Sequence, residues 1–338
     1  MNLSRSSPRA AISVAAVSLV LAACGSGQAN SEGNGAGDGV AGSVFVSGSS
    51  TVEPITALVA ETFRDENPSF DFTVEGPGTG DGFALFCNGE TDISDASRAI
   101  SDEEVEACAD AGVEYTEILV AYDGLAVITS AANEAVSCLS FADLYALLGP
   151  ESRGYDTWSA AADLAEELPD GFGELHLPYP DADLVVTAPG EESGTFDSFV
   201  EIVIEDIAGE RGQEATTRPD YVASANDNVI IEGIAGTQTS LGWVGLAFAR
   251  ENAASVQTIE VDGGDGCVAP SDETVVDGTY PIARPLFIYV NHARAEENPA
   301  VSAFVDYYLA NLDTATEVGY VGLSDAEADA SRSAWEGR

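Results

Sequence analysis

The chain has 338 residues, 45% of them hydrophobic, and sets 58 acidic residues against 12 basic ones for a formal net charge of -46. That length can bury two cores, whereas the charge makes nucleic acid and anionic membrane surfaces poor partners. All 12 basic residues are arginine, so functions that need a lysine amine are excluded: a Walker-type phosphate loop, Schiff-base catalysis and Ser-x-x-Lys acyl transfer.

At the N-terminus, "MNLSRSSPRA" carries two arginines and no acid, and "AISVAAVSLVLAA" is an apolar run too short for a typical membrane span. Cys24 follows Leu21-Ala22-Ala23. The pattern resembles a bacterial lipoprotein signal. It predicts a signal peptide over 1–23, a lipid on the Cys24 sulfur, and a flexible Gly/Ser/Asn tether over 24–42. Export leaves Cys87, Cys108, Cys138 and Cys267 in an oxidising compartment, an even number that predicts two disulfides. Of the three pairings, Cys87 with Cys108 and Cys138 with Cys267 is preferred, because the first closes a short local loop inside one lobe. No Cys-x-x-Cys or histidine cluster points to a metal.

After the tether, "SVFVSGSSTVEP" alternates like a strand, breaks at Gly48-Ser49-Ser50-Thr51, and leads into "ITALVAETFRDENP", where Ile55, Leu58, Val59, Thr62 and Phe63 share a helical face. "FDFTVEGPGTGDGFALF" repeats the scheme, with a strand, a glycine-rich turn holding Thr79-Gly80, and a helix from about Gly82. "ILVAYDGLAVITS" reads as a buried strand and "SFADLYALLG" as a short helix. "DLVVTAPGEESGTFDSFVEIVIEDI" is strand, turn and helix once more, with Ser193 near the N-cap. "RPLFIYVN" is a late strand and "VSAFVDYYLANL" an amphipathic helix. Alternating strands and helices predict α/β units with a mainly parallel sheet.

Three strand-to-helix turns therefore carry hydroxyls or glycine: Ser50-Thr51, Thr79-Gly80, and Ser193-Gly194-Thr195. The first N–H groups of a helix are unpaired, so each turn either caps itself or receives an anion. In open α/β sheets such turns converge beyond the carboxyl ends of the strands, where ligands sit.

Taken in order from about Ser43 to Gly322, "SGSSTVEPI", "GPGTGDGF", "DISDASRAI", "AYDGLAV", "ESGTFD" and "RPLFIYVN" resemble the PstS family, the phosphate-binding lipoproteins of bacterial phosphate ABC importers. The resemblance implies a type II periplasmic-binding-protein fold: two α/β lobes joined by a two-segment hinge, crossed in "AYDGLAVITS" and "YPIARPLFIYV". Lobe one would take 43–122 and 281–338, and lobe two 123–280. It also implies a phosphate held by Ser50, Thr51, Thr79, Ser193, Gly194 and Thr195, partnership with permease subunits, and no cofactor. Many members have an arginine four residues before the Ser-Gly-Thr serine and an aspartate in a Ser-Asp-Ala-Pro-like segment. Here Pro189 and Arg98 stand at those places, so the cation is expected to be Arg98, whose planar guanidinium can fork onto an oxyanion. Asp123, between apolar neighbours, is expected to pair with Arg98, to accept the phosphate proton, or both. Asp81 and Glu192 are the other candidate acceptors, and Asn226 is read as the cap of the following helix.

Competing functions are a sulfate or molybdate binder on the same fold, a phosphohydrolase, and an adhesin or sensor on the same tether. Catalysis finds little support. His176 and His292, the only histidines, sit in polar stretches that read as surface, and Ser193 lacks a Gly-x-Ser-x-Gly elbow because Glu191 replaces the first glycine.

Overall fold

A computed structural model describes residues 39–338; the signal segment 1–23, the acceptor Cys24 and the tether as far as residue 38 lie outside the described residues. In chain order the strands are β1 (Gly42–Gly48), β2 (Phe70–Glu75), β3 (Ile93–Ala96), β4 (Tyr115–Ser130), β5 (Cys138–Ser140), β6 (Val185–Ala188), β7 (Val222–Ala223), β8 (Ser240–Gly245), β9 (Val256–Thr258), β10 (Glu260–Asp262), β11 (Cys267–Val268) and β12 (Ala283–Asn291). The main sheet runs β2-β1-β3-β12-β4-β8-β6-β7, with β9 also on β4, and a small sheet runs β11-β10-β5.

β4 organises the molecule. Through Gly124 it pairs with β12, and from Leu125 it pairs with β8 and then β9. One half of the sheet is packed by the helices Glu53–Glu66 and Pro299–Ala310 around Val46, Ile55, Phe63, Phe304 and Trp335. Its other face carries Phe83, Phe86 and Tyr289. The second half gathers its own core around Leu147, Trp158, Phe199, Ile204 and Trp243, where Phe199 stacks on Trp243 with ring centroids 4.2 Å apart. The result is two α/β lobes joined through β4 and β12.

The sheet is mixed rather than mainly parallel. Within the lobes β1 runs parallel to β2 and β3, and β6 to β7 and β8. The two joining strands run antiparallel to each other, and β4 is antiparallel to β8. Hydropathy alternation carries no information on strand direction, so this could not be read beforehand.

Local chemistry sets the helix ends. Ser101 and Glu104 form a capping box at the start of the helix Asp102–Ala111, which Gly112 ends in a left-handed conformation at φ 73°. Ser140 and Asp143 do the same for the helix Phe141–Leu148. Both predicted disulfides are present, Cys87–Cys108 and Cys138–Cys267. No helix among the described residues is long and apolar enough to cross a membrane.

Candidate functional site

The first turn follows β1. Ser49, rather than Ser50 or Thr51, fastens it: the Ser49 N–H donates to the Asp95 carbonyl (2.9 Å) and its Oγ accepts from the Thr51 N–H (3.2 Å). The Ser50 and Thr51 hydroxyls are thereby left to reach the other lobe. Ser50 Oγ donates to Asp197 Oδ2 at 2.9 Å, and Thr51 Oγ1 lies 3.1 Å from Ser198 Oγ.

The second turn begins its helix at Thr79, earlier than the expected Gly82, and the helix ends at Cys87. Gly82 packs on the end of β1 so tightly that a Cβ there would lie 2.4 Å from the Gly48 Cα, which is why this position takes glycine. Thr79 Oγ1 accepts from the Ser97 N–H (3.2 Å) and shares a hydrogen bond with Ser97 Oγ (3.0 Å).

In the third turn Ser193 caps the helix Gly194–Phe199, its Oγ accepting from the Thr195 N–H at 3.2 Å. The helix passes through a π-helical turn, Val200–Ile204, before resuming as Glu205–Arg211. Gly194 faces the first turn; a Cβ on it would stand 3.3 Å from the Ser50 carbonyl oxygen. Turns one and three therefore meet across the lobes.

The cation at this junction is Arg284, which is not among the residues expected to form the site. Antiparallel pairing of β12 with β4 places it opposite Asp123. Its Nη2 donates to Thr51 Oγ1 (3.0 Å) and Ser198 Oγ (2.8 Å), its Nη1 pairs with Glu201, and its Nε lies 3.7 Å from Asp123 Oδ2. Arg98 does not pair with Asp123, as it was expected to. It forks onto both oxygens of Glu104 at 2.8 Å, beside the Phe83 ring, and its side chain is 46% exposed. The capping box explains the difference, because it turns Glu104 back toward the segment holding Arg98. The Arg98 guanidinium nonetheless stands next to the second turn, 3.9 Å from where a Gly80 Cβ would be.

Burial pushes the Asp123 carboxyl up from its ordinary range, and Arg284 offsets part of that rise. Burial also raises Asp197, opposed by the Ser50 hydrogen bond. Behind the first turn, burial raises Asp95 to about 8 against the opposing Thr56 hydrogen bond. A cavity of about 320 Å³ adjoins the junction, lined by Asp123, Thr195, Asp227, Glu251, Glu317 and Tyr320 among others. Its carboxylates give this cavity a negative lining, to which the third turn contributes Thr195.

Asp81 and Glu192 are exposed, and Asn226 caps the helix Asp227–Ala235, accepting from the Asn228 N–H. Neither histidine is a plain surface residue: His176 bonds Asp143 and His292 bonds Thr116. Neither hydrogen-bonds a residue of the three turns, so the junction offers hydroxyls, helix starts and guanidinium groups. That is equipment for holding an oxyanion.

Residues 33–311 match the PBP superfamily domain. The chain is 39% identical to Protein SphX of Synechocystis over 84% of its own length and 79% of that protein. It is 30% identical to the phosphate-binding protein PstS of Staphylococcus epidermidis, over 91% of this chain and 86% of the relative. Its fold superposes on the crystal structure of a possible phosphate binding protein from Planctomyces limnophilus with a TM-score of 0.77 and 31% identity, covering 88% of this chain and 99% of the other.

Proposed function

Because this chain belongs to the PstS family of phosphate-binding proteins within the PBP superfamily, we propose that it captures inorganic phosphate between its lobes and delivers it to the permease of an ABC importer. The observation that carries the reading is the meeting of the Ser50-Thr51 turn with the Ser193-Gly194-Thr195 turn across the lobes. The Asp197 carboxylate now accepts from Ser50 Oγ as a phosphate oxygen would, so an arriving phosphate exchanges one oxyanion acceptor for another. In this reading Ser50, Thr51, Thr79, Arg98, Ser193, Gly194 and Thr195 hold phosphate, and Asp123, raised by burial, takes part in accepting its proton. Arg284 balances Asp123 and ties the lobes, a role the residue-by-residue resemblance did not supply.

Lobe one comprises 43–122 and 281–338 and lobe two 123–280, in keeping with separate cores that exchange near residues 122 and 283. The protein works outside the cytoplasm, held by a lipid on Cys24, as a receptor rather than an enzyme. A ligand touching both lobes favours their closure through contacts that only the closed state makes. Titrating phosphate into the soluble form that begins after Cys24 tests the assignment. Binding should be one to one, and Thr195→Val should weaken it by about 1–3 kcal/mol, the penalty for an unsatisfied buried polar group. Unchanged affinity in that variant would remove the third turn from the site.

A further inference from the structure

The two disulfides sit in unlike surroundings. Cys87 and Cys108 are both buried. Cys138 is buried in β5, while its partner Cys267, in β11, is exposed. Against the exposed sulfur stands a histidine. His176 Nε2 lies 3.3 Å from Cys267 Sγ, and His176 Nδ1 lies 2.7 Å from Asp143 Oδ2.

Asp143 is fully buried and held from several sides. It accepts from the Ser140 N–H at 2.8 Å, the Tyr179 hydroxyl at 2.6 Å and the His176 N–H at 3.2 Å. A carboxylate at Nδ1 places the proton there and turns Nε2 toward the sulfur. Asp262 also faces the ring, and its carboxylate is engaged by the Glu174, Gly264 and Gly266 N–H groups. Carboxylate, imidazole and sulfur in this sequence form the arrangement that activates a thiol.

We propose that Cys138–Cys267 is an exchangeable disulfide, opened and reclosed by an external thiol, with His176 and Asp143 serving the Cys267 sulfur. In the first step an external thiol gives its proton to His176 Nε2 and attacks the exposed Cys267 sulfur as the thiolate, the protein S–S bond breaks, and Cys138 leaves with the electron pair and takes up a proton from solvent. In the second, another thiolate attacks the external sulfur of the mixed disulfide. Cys267 then leaves as a thiolate and takes its proton from the His176 imidazolium. Two electrons pass to the protein, and two thiols become one disulfide. In reclosure His176 takes the Cys267 proton back. Cys87–Cys108, buried on both sides, does not take part.

Reacting the oxidised protein with glutathione, quenching with acid and mapping the peptides tests this. Cys138–Cys267 should open about ten-fold faster than Cys87–Cys108, and the glutathione adduct on Cys267 should be short-lived. In His176→Ala that adduct should persist about ten-fold longer, a change that altered packing alone would not produce. An adduct resolved at the wild-type rate in the variant, or earlier opening of Cys87–Cys108, overturns the proposal. Should the variant fail to fold, alkylation of Cys267 in the reduced wild-type protein decides. Reactivity persisting well below the ordinary thiol pKa of about 8.5 supports the proposal, and a profile centred at that value refutes it.

Discussion

At the scale of single residues, the two arginines near the cleft make opposite predictions. Arg284 is 13% exposed and faces a buried carboxylate, so Arg284→Met leaves Asp123 uncompensated. Removing one partner of a buried pair costs about 3–5 kcal/mol, and both melting temperature and phosphate affinity should fall. Arg98 forks onto Glu104 at the surface, a pair worth about 0–1 kcal/mol. Arg98→Ala should therefore leave the melting temperature nearly unchanged while weakening phosphate, and a variant that melts like wild type and binds like wild type would take Arg98 out of the site. Asp95 gives a pH prediction. Its carboxyl is raised to about 8 in the folded state from the ordinary 3.8. The folded protein thus keeps a proton that the unfolded chain releases. Asp95 costs nothing below pH 3.8, costs more as pH rises from there to about 8, and then levels off. Asp95→Asn imitates the neutral acid, so the variant should gain stability relative to wild type across that interval in pH-dependent thermal melts. A constant difference between the two proteins from pH 4 to 8 would show that Asp95 ionises normally.

At the scale of elements, much was legible because it is local. The Asn226 cap and the Ser193 cap are short-range patterns that sequence spacing exposes. The three turns were legible for the same reason, since each is a strand end, a small residue and a helical period. Arg284 was not. It is the second residue of β12, just before Pro285, and the hydroxyls it bonds lie 233 and 86 positions away, so only the β4–β12 register brings them together. A lone base beside a proline in an otherwise apolar strand of a lysine-free chain was the one available sign. Gly82 shows how an element sets the site: the Thr79–Cys87 helix can approach β1 only without a side chain there. Gly82→Ala should lower the melting temperature, with overpacking costing about 1–3 kcal/mol, and should weaken phosphate by displacing Thr79. Full retention of both properties would mean that this close packing does not position the second turn.

At the scale of the whole molecule, a net charge of -46 opposes compaction, and salt relieves that self-repulsion. The melting temperature should rise toward about 1 M sodium chloride, where the screening length is about 3 Å; a steady fall would contradict this. Closure is a property of the same scale, because Ser50 and Thr51 on one side reach Asp197 and Ser198 on the other. In the function proposed above, phosphate is recognised at this interlobe junction. Hydroxyl and N–H donors treat tetrahedral phosphate and sulfate alike, but near neutral pH phosphate brings a proton and sulfate none. Against sulfate, an acceptor carboxylate would face a bare oxygen. Sites built around such a hydrogen bond can reject the wrong ligand by about 10⁴–10⁵-fold. The most direct measurement is calorimetric titration of phosphate and sulfate into the soluble form, with Asp123→Asn alongside. One phosphate per chain, sulfate weaker by at least about 10²-fold and a narrower gap in the variant are the expected results; equal binding of the two anions by the wild-type protein, or no binding of phosphate, would show that the junction does not select phosphate.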